Sequence, residues 1–451
     1  MPEESKRKDS FDPRSYGAVA DGLSKDTAAV QAAIDDAAAQ GGTVRLAGGT
    51  FVCGTLYLKS NVALEITNSA TLLASPDIAD YGIDTHHNRY RNEPELDRCF
   101  LFAQDAENVT ICGSGVIDGN AAAFPNAGSI YRPMLLRVLR CRHVRVQNLR
   151  LLNAAAWATA FLDSDFIWAT DLHIENHRNY NGDGLDFDSC RHVWVRGCYI
   201  DGTDDNLCLQ SSGLPVQDVH ISDCAFTSVC AGIRIGLKSI GEISGVVISN
   251  CTMRNIWREG IKLECTEGGS ITDILVENVT MHNVRRPIFA ILNNRYRPDD
   301  LGSSIELDHI PTIGTMARLR FVGITAVDDE GMAHAQRRFD NDIMGEPRFD
   351  GCRFDANAAH PMQDVTIRDF SYTAIGGVRL SDLPAAPYPE VPDRLQAPTA
   401  PGSENYYPDW SRTTHLDARN VRGLTLENLH FNTLYPDERP KMLTEGPTVM
   451  L

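Results

Sequence analysis

From Gly42 onward, apolar and polar positions alternate in short β-branched runs, TVRLAGGTFVCGTLYLKSNVALEITNSATLLAS, broken every few residues by Gly or Asn. Period-two alternation predicts strands, and the regular Gly/Asn breaks predict tight corners. One template recurs: an apolar residue followed five positions later by an apolar residue or Cys. It fits Val144 with Leu149, Ile167 with Leu172, Val193 with Cys198, Val219 with Cys224, Val246 with Cys251, and Ile274 with Val279. Successive starting positions lie roughly 23 to 28 residues apart, the length of one three-strand coil of a right-handed parallel β-helix. After Arg286 the template continues with insertions, at Leu319 with Ile324, Val365 with Phe370, and Leu424 with Leu429. No helical run separates the strands, which disfavours a βαβ architecture.

Upstream, Asp26-Thr27 followed by AAVQAAIDDAAAQGG reads as an N-cap, an alanine-rich amphipathic run and a glycine stop. A helix over about residues 24–40 would cover the open end of a coil, where apolar rungs and strand edges need shielding. The expectation is an all-β chain: one parallel β-helix domain over residues 13–451 with a short N-terminal helical cap. Residues 1–12 are read as loosely held, and 76–104, 326–362 and 384–412 as loop insertions.

Composition changes this picture little. A chain with 43% hydrophobic and 23% charged residues is an ordinary folded composition. A net charge of -18 without a Lys/Arg run argues against nucleic acid and anionic membrane as partners. MPEESKRKDS lacks the apolar run of a secretion signal, so a cytoplasmic location is expected, and no stretch reaches the length of a membrane span. The twelve cysteines form no CxxC pair and no Cys/His metal spacing. They are read as buried thiols, with Cys198, Cys224 and Cys251 stacking inward on successive rungs. No metal and no cofactor are implied, and the sequence sets no oligomeric state.

Chemistry concentrates between Asn176 and Ser212. Asp183 sits in the turn signal Asn181-Gly182-Asp183-Gly184, and Asp204-Asp205 in Gly202-Thr203-Asp204-Asp205-Asn206. The strand His192-Val193-Trp194-Val195 lies between them, so a coil would stack the second turn about 4.8 Å from the first. Inverting hydrolysis of a glycosidic bond needs a carboxylic acid and a water-activating carboxylate about 6.5–9.5 Å apart. Crowding three carboxylates also raises the pKa of at least one, which keeps an acid protonated near neutrality.

Other candidates surround this stretch. Arg234 precedes Val246 by the offset at which Lys262 precedes Ile274, so the two are expected to stack beside the acids. There they would bind a uronate carboxylate or a sugar hydroxyl, or else neutralise buried aspartates. Arg286 is a third cation. Asn181, His177 and Gln210 adjoin the acidic turns and are candidate substrate contacts. Trp157 and Tyr180 are read either as sugar-stacking rings or as core.

The motifs together resemble glycoside hydrolase family 28, the polygalacturonases and related pectin-degrading enzymes. Asn181-Gly182-Asp183-Gly184 is similar to that family's N-T-D-G. Asp204-Asp205-Asn206 with Gln210-Ser211-Ser212 is similar to its D-D-C and the K-S-G that follows. DPRSYGAVADG with DTAAVQAAI, GSGVIDG at 113–119, and Arg132-Pro133 extend the likeness over most of residues 12–290. The resemblance implies a pectin-lyase-like solenoid and an inverting hydrolase acting on oligosaccharides. It further implies Asp204 as the acid, with Asp183 and Asp205 positioning or deprotonating water. Two motifs depart from the pattern. Cys230-Ala231-Gly232 stands for G-H-G, and Gly260-Ile261-Lys262 for R-I-K, so the family histidine and arginine are missing. Rhamnogalacturonan-type and other exo-acting members therefore come into view, and export-free processing of imported fragments also fits exo action.

Two other classes compete. A β-helix lyase or uronate epimerase would abstract a proton beside a neutralised carboxylate, a role open to Arg234 or Lys262. A non-catalytic carbohydrate-binding β-helix is the third reading, since fold alone does not fix function.

Overall fold

The computed structural model describes residues 10–85, 98–126, 131–294, 313–329, 351–385, 411–445 and 448–450. The chain divides into two compact units. One comprises Met1–Leu185 with Cys190–Thr203, the other Asp186–Ser189 with Asp204–Leu451. Both are built from parallel strands, each paired with the equivalent strand of the next coil.

In the first unit the inward positions form continuous columns. Leu64, Ile111, Val146, Ala169 and Val195 lie in register and are buried, as do Leu72, Ile117, Leu151, Ile174 and Ile200. Alternation along each strand produces this, because every second side chain points inward. The template positions Val144, Ile167 and Val193 pair directly.

The helix Thr27–Gln40 belongs to this unit and packs Ala29, Val30, Ala33, Ile34 and Ala37 inward, against strands that include Gly42–Leu46 and Leu56–Leu58. Its start differs from expectation. Asp26 occupies the N-cap position but makes no capping bond; its carboxylate accepts the backbone N–H groups of Val19 (2.7 Å) and Ala20 (3.0 Å) instead. Thr27 Oγ1 accepts Gly54 N at 2.9 Å, tying the first helical turn to a coil corner.

In the second unit Val219, Val246, Ile274, Leu319, Val365 and Leu424 form one unbroken register, and Val279, Ile324, Phe370 and Leu429 another. The template therefore marks true coil positions on both sides of the insertions. Two expected loops contain strands: Cys99–Gln104 lies inside 76–104, and Cys352–Ala356 inside 326–362. Thr315–Val327 also runs two residues into the latter. Residues 1–9, 86–97, 330–350 and 386–410, the middle parts of the expected tail and loops, lie outside the described residues. Among the described residues no helix is long and apolar enough to cross a membrane.

Candidate active site

In the first unit the Asn176–Gly184 turn is held from beneath by buried polar groups. Arg132 is fully buried; it donates from NH1 to the Tyr180 carbonyl (2.6 Å) and from NH2 to Asn181 Oδ1 (2.7 Å). Asn176 Nδ2 donates to the carbonyls of Ala156 (2.9 Å) and Asp183 (3.3 Å), and Ala158 N donates to the same Asp183 carbonyl (3.0 Å). Gly182 N donates to Thr203 Oγ1 at 3.0 Å. Asp183 itself is 2% exposed. Buried backbone groups need partners, and a turn whose carbonyls are claimed by Arg132 and Asn176 keeps its shape.

The other candidates of this unit fall in different surroundings. His177 Nε2 lies 2.8 Å from Asp201 Oδ1, an ion pair when the ring is protonated. Trp157 is 7% exposed and packs with Cys99, Phe102, Met134, Ala160 and Leu162, so it is core, the second of its two sequence readings. Tyr180 N is bonded to Asn126 O at 3.1 Å.

Asp204 and Asp205 belong to the second unit. One oxygen of each carboxyl group and the Cys230 sulfur all lie within 4.8 Å of one another. Asp205 is fully buried, whereas Asp204 keeps part of its surface open. Enclosure by protein pushes Asp204 up from the ordinary carboxylate range, and the neighbouring Asp205 charge pushes it further. The charges of Arg234 and Arg258 and a hydrogen bond from the Cys230 thiol pull it partly back. The two adjacent acids are thus not equivalent. Their spacing is shorter than the 6.5–9.5 Å of an acid and base that admit a water between them.

Cations line the same strands. Arg234, on Ile233–Ser239, stacks over Lys262, on Thr252–Cys265, as the offset predicts. Arg234 NH1 lies 2.6 Å from Asp205 Oδ2, its Nε donates to Cys208 Sγ (3.3 Å), and its side chain is 15% exposed. Burial works against the guanidinium charge, yet Asp205, Cys208, Glu264 and Asp204 outweigh it and hold its pKa well above the usual value.

Lys262 is buried between Glu259 (3.4 Å) and Glu264 (3.6 Å), and Arg286 NH1 pairs with Glu259 Oε1 at 2.7 Å. Gln210, also buried, donates from Nε2 to Cys208 Sγ at 3.1 Å. Within this unit the structure therefore brings together Asp204, Asp205 and Arg234, and sets Lys262 and Arg286 on a shared glutamate.

Sequence reasoning passed over several neighbours. Asp186 and Asp188 alternate in Leu185-Asp186-Phe187-Asp188, a pattern that alone could have flagged an acidic face. Asp188 accepts Ser212 N (2.9 Å) and Ser212 Oγ (2.6 Å). Arg258 had no such signal. It lies where pairing shifts register between Ile256 and Glu259, and a bulge re-aims side chains in a way that alternation does not foretell.

The family model for glycosyl hydrolases family 28 matches residues 50–306. A probable polygalacturonase of Vitis vinifera is 27% identical over 262 residues, covering 51% of this chain and 52% of the relative. The chain spans about half or less of the length of the curated relatives it matches first. Among solved structures, the exopolygalacturonase of Thermotoga maritima aligns with TM-score 0.63 at 20% identity, covering 81% of this chain and 87% of that one. The family 28 exopolygalacturonase of Yersinia enterocolitica aligns with TM-score 0.68 at 16% identity, covering 98% and 78%. These likenesses show the fold, a right-handed parallel β-helix of the pectin-lyase-like kind.

Proposed function

The chain belongs to the glycosyl hydrolases family 28, and from that membership we propose that it hydrolyses glycosidic bonds of pectin-type or other plant-derived oligosaccharides. The observation that carries the reading is the unequal pair Asp204/Asp205: one carboxyl pushed towards the protonated form, the other in contact with an arginine. Asp204 donates its proton to the leaving oxygen as the C1–O bond breaks, and a water forms the new C1–O bond. The water gives up its proton to a carboxylate. For that task the family resemblance implies Asp183 and Asp205. The product is released with inverted configuration.

Exo action is part of the proposal; the names of the Thermotoga and Yersinia relatives support it. Asn181, His177, Gln210, Arg234, Lys262, Arg286 and Trp157 were the substrate contacts expected from sequence. Of these, Lys262 and Arg286 are buried on Glu259, which favours a supporting role for them.

The test is a panel of pectic oligosaccharides and aryl glycosides, with the first-formed anomer followed by NMR. Inverted product, lost in Asp204→Asn while binding persists, is the expected result. Retained configuration would reject the mechanism. An unsaturated product absorbing in the near ultraviolet would replace hydrolysis with elimination, and sugar binding without turnover would leave a binding β-helix.

A further inference from the structure

We propose that Arg234 is the positioning residue of the acid pair: its guanidinium holds Asp205 as the carboxylate and leaves the shared proton on Asp204. The inference rests on the acid–base reading above and deepens it. Two carboxyl groups this close disfavour ionising together, which favours one shared proton. Something must decide which of them holds it. Arg234 NH1 contacts Asp205 at 2.6 Å, whereas Asp204 receives the Cys230 thiol hydrogen bond and keeps open surface.

Arg234 is itself fixed for this task. Its Nε donates to Cys208 on one neighbouring strand, and Lys262 pairs with it on the other, already engaged by Glu259 and Glu264. The backbone completes the arrangement: Ala231 N donates to Asp205 Oδ1 at 3.3 Å and Asp205 N to Asp204 Oδ1 at 2.9 Å. Within the second unit the other groups whose charge acts on this cluster are Arg258, Lys262, Glu264, Asp186, Cys208 and Cys230. Of these Cys208 and Cys230 are thiols driven upward chiefly by burial and therefore neutral. Arg234 and Arg258 both act on Asp204, and Arg234 is the one that also contacts Asp205, at 2.6 Å.

In the family motif the missing G-H-G histidine would have stood at Ala231, three residues before Arg234. The arginine thus sits beside a position whose usual titratable group is gone, and it brings a charge that does not titrate in the working range.

The pH dependence of R234Q and R234K on a cleaved oligosaccharide tests this. With the cation removed, Asp205 competes for the proton, so the acid limb of kcat/KM in R234Q should move up by about 1–3 pH units. At the wild-type optimum kcat should fall about 100-fold with little change in KM. R234K, which keeps a point charge, should recover most of both. A tenfold rise in KM with the limb unmoved would make Arg234 a substrate-binding residue and overturn the proposal, as would wild-type behaviour of R234Q.

A second measurement needs neither substrate nor an Arg234 variant. In difference infrared spectra at pH 5, Asp205→Asn should remove an ionised-carboxylate band and Asp204→Asn a protonated carboxyl band. The reverse assignment overturns the proposal. Bands as expected in a protein that cleaves no glycoside would sink the hydrolase reading and leave the proton assignment standing.

Discussion

Gly182 and Glu259 illustrate two ways in which one residue holds a candidate site. A β-carbon on Gly182 would stand 2.3 Å from Thr203 Oγ1 and 2.4 Å from the Asn176 carbonyl. The second of these is backbone and cannot swing away. Gly182→Ala should therefore distort the turn carrying Asp183, costing about 1–3 kcal/mol in stability and a larger share of kcat than of KM; denaturant unfolding and steady-state kinetics check both. Glu259 is buried with two buried cations on it, Arg286 at 2.7 Å and Lys262 at 3.4 Å. Glu259→Gln strips their common counter-charge. A loss of about 3–5 kcal/mol is expected by denaturant unfolding, and Glu259→Asp should lose much less. From sequence, Lys262 is read as a substrate contact or as a neutraliser of buried aspartates, and Arg286 as a third candidate cation. Their shared glutamate was invisible because it depends on which side chains of neighbouring coils face one another.

Among the elements, strands were more legible than the segments between them. The five-residue template located coil positions in both units, because an inward aliphatic must recur wherever coils stack. Cys99–Gln104, a short apolar run, and Cys352–Ala356, a five-residue alternation that includes Arg353 and Asp355, were missed because each is embedded in long polar surroundings, where composition outweighs the local pattern. Asp328 shows how such strands are tied. It follows the strand Thr315–Val327; its Oδ1 accepts Val284 N at 3.2 Å, and Tyr372 donates its hydroxyl to Oδ2 at 2.7 Å, so it bridges two further strands. Burial pushes its carboxyl up to about 8, against the pull of those two hydrogen bonds and with help from Asp329. The folded form thus binds a proton that the unfolded chain releases near the ordinary carboxylate range. Stability should fall as pH rises from about 4 to 8, by up to about 1.4 kcal/mol per unit inside that window. Asp328→Asn should flatten this slope in unfolding curves taken at several pH values; an unchanged slope would assign it to other groups.

At the scale of the whole molecule, the turn motifs of the candidate site were readable because its acidic side chains sit on corners that Gly and Asn announce. The non-equivalence of Asp204 and Asp205 was not, since it comes from which cation touches which oxygen. The twelve cysteines test how far the inward-column logic extends. The structure leaves all of them unbridged and buries every one except Cys112, which is partly covered. Burial raises Cys99 and Cys265 each to about 12, and it raises Cys112 as well, with help from Glu65. A thiol reacts as its thiolate, so Cys99 and Cys265 are both sterically hidden and chemically quiet, whereas Cys112 is the more accessible. Alkylation of the folded protein near pH 7.5 should therefore modify at most Cys112, while the unfolded chain should yield twelve reactive thiols, counted by intact-mass spectrometry. Because no disulfide contributes to stability, a thiol reductant should leave the melting temperature unchanged. Rapid labelling of several thiols in the folded state would mean that the cysteine columns are open to solvent. The packing of both units would then have to be drawn again.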